Sequence, residues 1–258
     1  MSNRIYGTRT DINEQEVRDF YNKRAALASS MKNPLSAVVN GEQNPEQADT
    51  RSRFDREYIV PRLDLTPNSA VLDIGCGMGR FAEMALPLCG RYLGADFAPE
   101  MIAAAEKRTA AYSDHAKYVC ASFSELMSKP DSFFGGKFDC VIMLGVCMYI
   151  NDTELVKCLT RLVDLLNDKC VMYVGDAVGL GTRLTLDQIH SDQLDSDYSA
   201  IYRTAEEYVK LYSIFTKQGF HFAEQTYFPP EINGTRYNDS DRWYAILKPV
   251  SYTHLTLP

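Results

Sequence analysis

Ten residues constrain this chain most: Val71-Leu72-Asp73-Ile74-Gly75-Cys76-Gly77-Met78-Gly79-Arg80. The first four read as a short apolar strand. Three glycines at alternate positions follow, giving D-x-G-x-G-x-G. Such a chain turns sharply at the strand's carboxyl end and leaves a backbone with no Cβ, which a ligand can approach closely. The Gly79 end leads toward a helix, whose free N–H groups favour a carboxylate or other anion.

Around this turn the pattern alternates. Apolar strands are expected at residues 71–74, 91–96, 117–120, 138–144 and 169–175, with helices between them near 80–88, 99–109 and 152–166. Pro99 suits a first helical turn, where no N–H is needed. Alternation of this kind predicts an α/β fold with a mostly parallel sheet and helices on both faces. Residues 219–228 and 243–248 read as a closing antiparallel pair linked by Pro229-Pro230 and Asn233-Gly234. Upstream, Asn13 with Glu16 starts a helix over 14–30 with Val17, Phe20, Tyr21 and Leu27 on one face. Residues 32–49, rich in Asn, Gln, Glu and Pro, read as a loop, and 51–61 as a second helix. The expected organisation is therefore an N-terminal helical cap (1–62) and a main domain (63–250). Residues 177–203 break the rhythm and read as a polar, aromatic lid before the Thr204/Glu207 capping box. Residues 251–258 extend nothing and read as a foreign tail.

Asp96 ends the second strand, 17 residues past Gly79. That is close to where an acid binding ribose hydroxyls is expected after a glycine loop. The G-x-G-x-G spacing with Asp73 two residues ahead, rather than G-x-G-x-x-G, resembles the class I S-adenosylmethionine-dependent methyltransferases and argues against a nicotinamide-dependent oxidoreductase. The resemblance runs over about Pro67 to Lys248 and is most specific in its first half. It implies a Rossmann-like, doubly wound, seven-stranded sheet with its last strand antiparallel, and S-adenosylmethionine as cofactor. Phe138-Asp139-Cys140-Val141-Ile142 is similar to the family's fourth-strand motif. The resemblance gives Leu144 or Gly145 a backbone carbonyl for the methionine ammonium, and lets Asp73 orient the loop and reach that ammonium. Gly75, Gly77, Gly79, Asp96 and Phe97 complete the implied cofactor site. The adenine position is Ala121-Ser122-Phe123. The acidic residue common there is absent, which leaves backbone groups, Ser122 and Phe123 as the clamp.

The acceptor should lie over the strand ends, between the cap and the 177–203 segment. His190 and Asp176 are the candidate proton acceptors, since an alcohol nucleophile needs a general base. Tyr21, Tyr149, Tyr198 and Tyr202 are candidates to wall the sulfonium or guide the acceptor. Arg24, Arg183 and Arg203 are candidates to converge on a phosphate or carboxylate, which guanidinium forks suit. The stretches Arg183-Leu184-Thr185 and Tyr198 to Thr204 resemble bacterial methyltransferases of surface-sugar and phosphosugar pathways. The expectation is thus O-methylation of a sugar or a phosphorylated or anionic small molecule. N-methylation of a small amine and a non-catalytic S-adenosylmethionine-binding module remain as alternatives.

Charge and cysteines narrow the class further. A formal net charge of -7 with no Lys/Arg block disfavours nucleic acid as partner. No run reaches membrane-span length, and the polar Met1–Glu14 stretch lacks a secretory apolar core. Seven cysteines with no C-x-x-C pair read as reduced, buried thiols of a cytoplasmic protein rather than a disulfide framework or zinc site. No metal is expected.

Overall fold

The computed structural model describes residues 4–28, 30–39, 45–191, 196–233 and 237–250. The tail expected at 251–258 lies outside them, as do residues 192–195 of the expected lid.

The chain begins with β1 (Arg4–Tyr6) and α1 (Glu14–Ala28). Asn13 Oδ1 accepts the Gln15 N–H, while its amide bonds the Glu16 carboxylate rather than completing a capping box. Val17 and Phe20 are buried and Tyr21 packs beside them, as expected, whereas Leu27 is 58% exposed and Arg24 and Ala28 complete the buried face. The loop expected at 32–49 instead contains α2 (Ser36–Val39) and the start of α3 (Glu46–Phe54). Asn33 Oδ1 accepts the Leu35 N–H ahead of α2, and Ala37 and Ala48 are fully buried in a cluster with Met78 and Met101. Burial of these small residues overrides a polar local composition. Beyond α3 the helix continues as one π turn, Asp55–Ile59, and one tight turn, Val60–Arg62.

The main sheet follows: β2 (Ala70–Ile74), α4 (Ala82–Ala85), β3 (Arg91–Asp96), α5 (Pro99–Arg108), β4 (Ala116–Cys120), α6 (Phe123–Met127), α7 (Asp131–Phe134), β5 (Phe138–Leu144), α8 (Asp152–Val163) and β6 (Leu166–Gly179). Then come β7 (Leu184–Ser191), β8 (Ser196–Tyr202), α9 (Ala205–Leu211), β9 (Phe220–Tyr227) and β10 (Ser240–Pro249). Seven strands form one sheet in the order β4-β3-β2-β5-β6-β10-β9. The first five are parallel, and β10 runs antiparallel to both β6 and β9. This is the Rossmann-like architecture expected. Every residue of β2 is buried, as a central parallel strand covered on both faces requires. Leu155, Leu159 and Leu162 of α8, with Tyr208 and Tyr212, cover one face. Ile59, Leu63, Phe81, Ala85 and Phe228 cover the other.

The order reverses between β2 and β5, because the chain moves outward from β2 to β4 and then returns to the far side of β2. Ligands bind at such a switch point, beyond the carboxyl ends of the strands.

The 177–203 segment is not a loop-like lid. β6 runs on to Gly179, and β7 and β8 form a hairpin that joins β1 in a separate three-stranded sheet, β1-β7-β8. Leu184, Leu186, Ala200 and Ile201 supply its buried residues. The alternation is interrupted by a bulge between Leu186 and Ile189, which hid the strand in the sequence. Six of the seven cysteines are buried, Cys120 is exposed, and all seven are free thiols. No helix among the described residues is long and apolar enough to cross a membrane.

Candidate active site

One cleft opens at the switch point. It is lined by the ends of β2, β3, β5 and β6, and roofed by Val17, Arg18 and Tyr21 of α1 and by Val38 and Val39 of α2.

Its floor is the glycine turn. The N–H groups of Gly75 and Cys76 both donate to Ala95 O, at 2.8 and 3.0 Å, which folds the turn back against β3. Gly75 sits at φ +73°, and a Cβ there would lie 2.3 Å from Val146 Cγ2. At Gly77 a Cβ would lie 2.9 Å from Val38 Cγ1, on the cleft side. Gly79 has another use: a Cβ there would lie 3.2 Å from Ala105 of α5, and it does not border the cleft. The helix expected from Arg80 is short, four residues of α4 and then a tight turn at Leu86–Leu88 where Pro87 stands.

Two carboxylates flank this turn. Asp96 accepts the Gly77 N–H at 3.0 Å and the Ala98 N–H at 2.9 Å, one on each oxygen. Burial nevertheless pushes its carboxyl up to about 6. Asp73 is buried and accepts the Tyr92 hydroxyl proton, and burial pushes it up to about 7. Phe97 borders the cleft beside Asp96, under the Arg18 guanidinium at 5.6 Å.

At the next strand end, Ala121, Ser122 and Phe123 line the cleft. Ser122 is the N-cap of α6 in a complete capping box: its oxygen accepts the Glu125 N–H and its own N–H donates to the Glu125 carboxylate. Its hydroxyl proton is what it has left to give. Phe123 is 4% exposed and packs into the core with its edge at the cleft. Leu144 and Gly145 form the opposite wall, and the Gly145 N–H is taken by Gly175 O at 2.7 Å.

Beyond Gly145 lie Tyr149 and Asp176. The Tyr21 hydroxyl donates to the Tyr149 hydroxyl at 2.6 Å, joining the roof to the loop after β5. Asp176 is 4% exposed; its Oδ1 accepts the Met148 N–H at 3.2 Å, and its Oδ2 has no hydrogen-bond partner. Burial pushes this carboxyl up to about 7.

Several expected site residues stand elsewhere. His190 is at the outer end of the β7–β8 hairpin, 58% exposed at its side chain, 3.0 Å from Asp197, and does not line the cleft. Arg183 and Arg203 do not converge on the cleft. Both are buried and both bind the Asp152 carboxylate, at 2.9 and 2.6 Å. Arg203 also donates to Cys147 O and Ile150 O, so it fastens the loop after β5. Arg24 donates to Ser36 O and Ala37 O and ties α2 to α1. The Tyr198 and Tyr202 hydroxyls bond each other within the small sheet, behind the cleft wall. In each case a partner in the fold engages a group whose chemistry suited a ligand.

The cleft's own arginines were missed. Arg51, Arg80 and Arg242 line it. Asp55, fully buried, receives Arg51 at 3.1 Å and Arg80 at 2.7 Å. Arg242 comes in from β10 opposite Ala177 of β6. Its position depends on an antiparallel pairing between distant segments, and no local spacing signals it.

Residues 71–169 match the family model described as a methyltransferase domain. A ubiquinone biosynthesis O-methyltransferase of Xanthomonas oryzae pv. oryzae is 30% identical over 126 residues, covering 48% of this chain and 50% of that protein. The chain thus spans about half the length of the curated relatives of that name. Among solved structures, phosphoethanolamine N-methyltransferase 1 of Haemonchus contortus, in complex with phosphoethanolamine and S-adenosylhomocysteine, superposes with a TM-score of 0.66 at 17% identity, over 94% of this chain and 51% of that one. N-methyltransferase NodS of Bradyrhizobium japonicum, with S-adenosylhomocysteine, gives 0.57 at 17% identity over 90% of this chain and 100% of that one. At those identities the likeness is one of fold. The glycine turn, the acids at the ends of β2 and β3, the sheet order and the match over residues 71–169 agree: residues 71–169 match a methyltransferase domain, set in a fold like that of methyltransferases solved with S-adenosylhomocysteine bound.

Proposed function

We propose that the cleft binds S-adenosylmethionine at its Asp73–Asp96 end and that the protein methylates an oxygen of a small, anionic acceptor. The observation that carries this reading is the cleft itself. It runs from a glycine turn flanked by two carboxylates to a buried carboxylate, Asp176, whose Oδ2 is unpartnered.

Bound at this site, S-adenosylmethionine supplies an electrophilic methyl group on a sulfonium. The residues supply the rest. Asp96 spends one lone pair of each oxygen on the turn and keeps others for ribose hydroxyls, a charge-assisted contact worth about 1.5–3 kcal/mol. Gly75 and Gly77 let the backbone approach the amino-acid end, with Asp73 and the Leu144–Gly145 backbone facing the ammonium. Phe97, Ser122 and Phe123 take the adenine. Tyr21 and Tyr149 wall the methyl group and exclude water. Positioning of this kind contributes about 7–11 kcal/mol in favourable systems.

Asp176 is assigned as the proton acceptor. A carboxyl with its pKa raised to about 7 is matched to deprotonating a hydroxyl near neutral pH. An amine acceptor would need only to be neutral.

The test is a chromatographic screen with methyl-labelled donor against hydroxylated and amine acceptors. Label on a hydroxylated anionic acceptor is expected. Label on amines alone would replace O- by N-methylation, and donor binding with no transfer to either class would leave a non-catalytic module.

A further inference from the structure

We propose that Arg242, seconded by Arg51, forms the subsite that holds a phosphate monoester on the acceptor. This rests on reading the cleft as the methyl-transfer site and adds the class of group that the acceptor carries.

Directly opposed residues of an antiparallel pair share a face. Arg242 is opposite Ala177, and Tyr244 opposite Gly175, so Arg242 stands on the face where Tyr244 packs with Phe228 and Tyr173. Arg51 approaches the same face from α3, its guanidinium 3.7 Å from the centre of the Phe228 ring. Both arginines border the cleft, at the end away from Asp96.

Their pairing differs from that of the other cleft arginines. Arg18 has Glu125, and Arg51 and Arg80 share Asp55. Among the described residues Arg242 makes no ion pair and no side-chain hydrogen bond. The neighbouring Asp241 makes no ion pair with it; its Oδ1 takes the Asn233 amide and the backbone N–H of residue 242. The ionisable groups that favour its charge are the phenols of Tyr202, Tyr149 and Tyr198 rather than a carboxylate. A half-buried guanidinium facing a second guanidinium is unfavourable until an anion joins them. Arg51 and Arg80 share the Asp55 carboxylate, and Arg242 is left without one of its own. A phosphate monoester carries about −1.5 to −2 at neutral pH, and its oxygens fit the planar fork.

The experiment uses the full chain saturated with S-adenosylhomocysteine and titrates inorganic phosphate by calorimetry, with acetate as a second arm. Phosphate is expected to bind, and Arg242→Gln to weaken it tenfold or more while S-adenosylhomocysteine affinity stays within threefold. Arg56→Gln, an exposed charge on the outer turn, should change neither. Arg242→Lys keeps the charge and loses the fork, and a weakening of threefold or more is expected from it even if the Gln variant does not fold. Equal phosphate affinity in wild type and both Arg242 variants would overturn the proposal, as would no phosphate binding to the loaded protein. Tighter binding of acetate than of phosphate would overturn the phosphate assignment in favour of a carboxylate. Failure of S-adenosylhomocysteine to bind, with phosphate binding still dependent on Arg242, would sink the methyl-transfer reading and leave the anion subsite standing.

Discussion

At the scale of single residues, the cleft is set by carboxylates held at unusual pKa values. Asp73, Asp96 and Asp176 are raised to about 7, 6 and 7, each chiefly by burial. If Asp176 takes the proton, only its ionised form is active, so kcat/KM should rise about tenfold per pH unit below 7 and level above it. Asp176→Asn should lower kcat by about 10²–10⁴ and remove that limb, with S-adenosylhomocysteine affinity little changed. A variant that loses activity but keeps the limb would make Asp176 a support for the Met148 loop and nothing more. The same shifts act on stability. These carboxyls hold a proton more tightly folded than unfolded. Their contribution is therefore greatest below the unfolded value of about 4 and is lost as pH climbs toward 7. Asp73→Asn should flatten the decline of the urea midpoint over that range, and an unchanged pH slope would contradict the burial account. Asp73 and Asp96 were legible in the sequence because a glycine turn fixes where its acids fall. Arg242 was not, since its neighbours in space lie on other strands and helices.

Among elements, the loop after β5 is held from outside the cleft. Arg183 and Arg203, both buried, converge on Asp152 at the start of α8. Asp152→Ala leaves the buried Arg203 without a carboxylate and Arg183 with Glu207 alone, and should cost about 3–5 kcal/mol in urea unfolding; a loss below 1 kcal/mol would show that Glu207 and the carbonyls suffice. Gly75→Ala puts a Cβ into Val146 at a positive φ, for about 1–3 kcal/mol of strain. Adding Val146→Ala should recover part of the loss, and strict additivity would show that the contact is unimportant. Elements with strong local signals were readable: apolar β2, the Pro99 start of α5 and the Thr204–Glu207 box of α9. Those made by long-range packing were not. α2 packs Ala37 into the cluster with Met78 and Met101, β1 is a strand only through its pairing with distant β7, and the bulge between Leu186 and Ile189 masks the alternation of β7.

For the whole molecule, the alternation of strand and helix pointed to a parallel sheet and the family resemblance to its seven strands, while the strand order and the switch point that place the cleft are read from the structure. The N-terminal segment and the 177–203 hairpin, read separately in the sequence, are joined by β1 into one small sheet beside that cleft. Among the described residues no group of three or more His, Cys, Asp or Glu side chains is arranged to hold a metal ion. Turnover is expected to survive EDTA, and its loss on chelation with recovery on adding a divalent ion would contradict that. The central claim is that the glycine turn and its acids form a donor site. It is tested most directly by calorimetric titration of S-adenosylmethionine and S-adenosylhomocysteine into the protein and into Asp96→Ala. Micromolar binding, weakened tenfold or more (about 1.4 kcal/mol) by the substitution, is predicted. No binding to the unaltered protein, or equal binding to both, would contradict it.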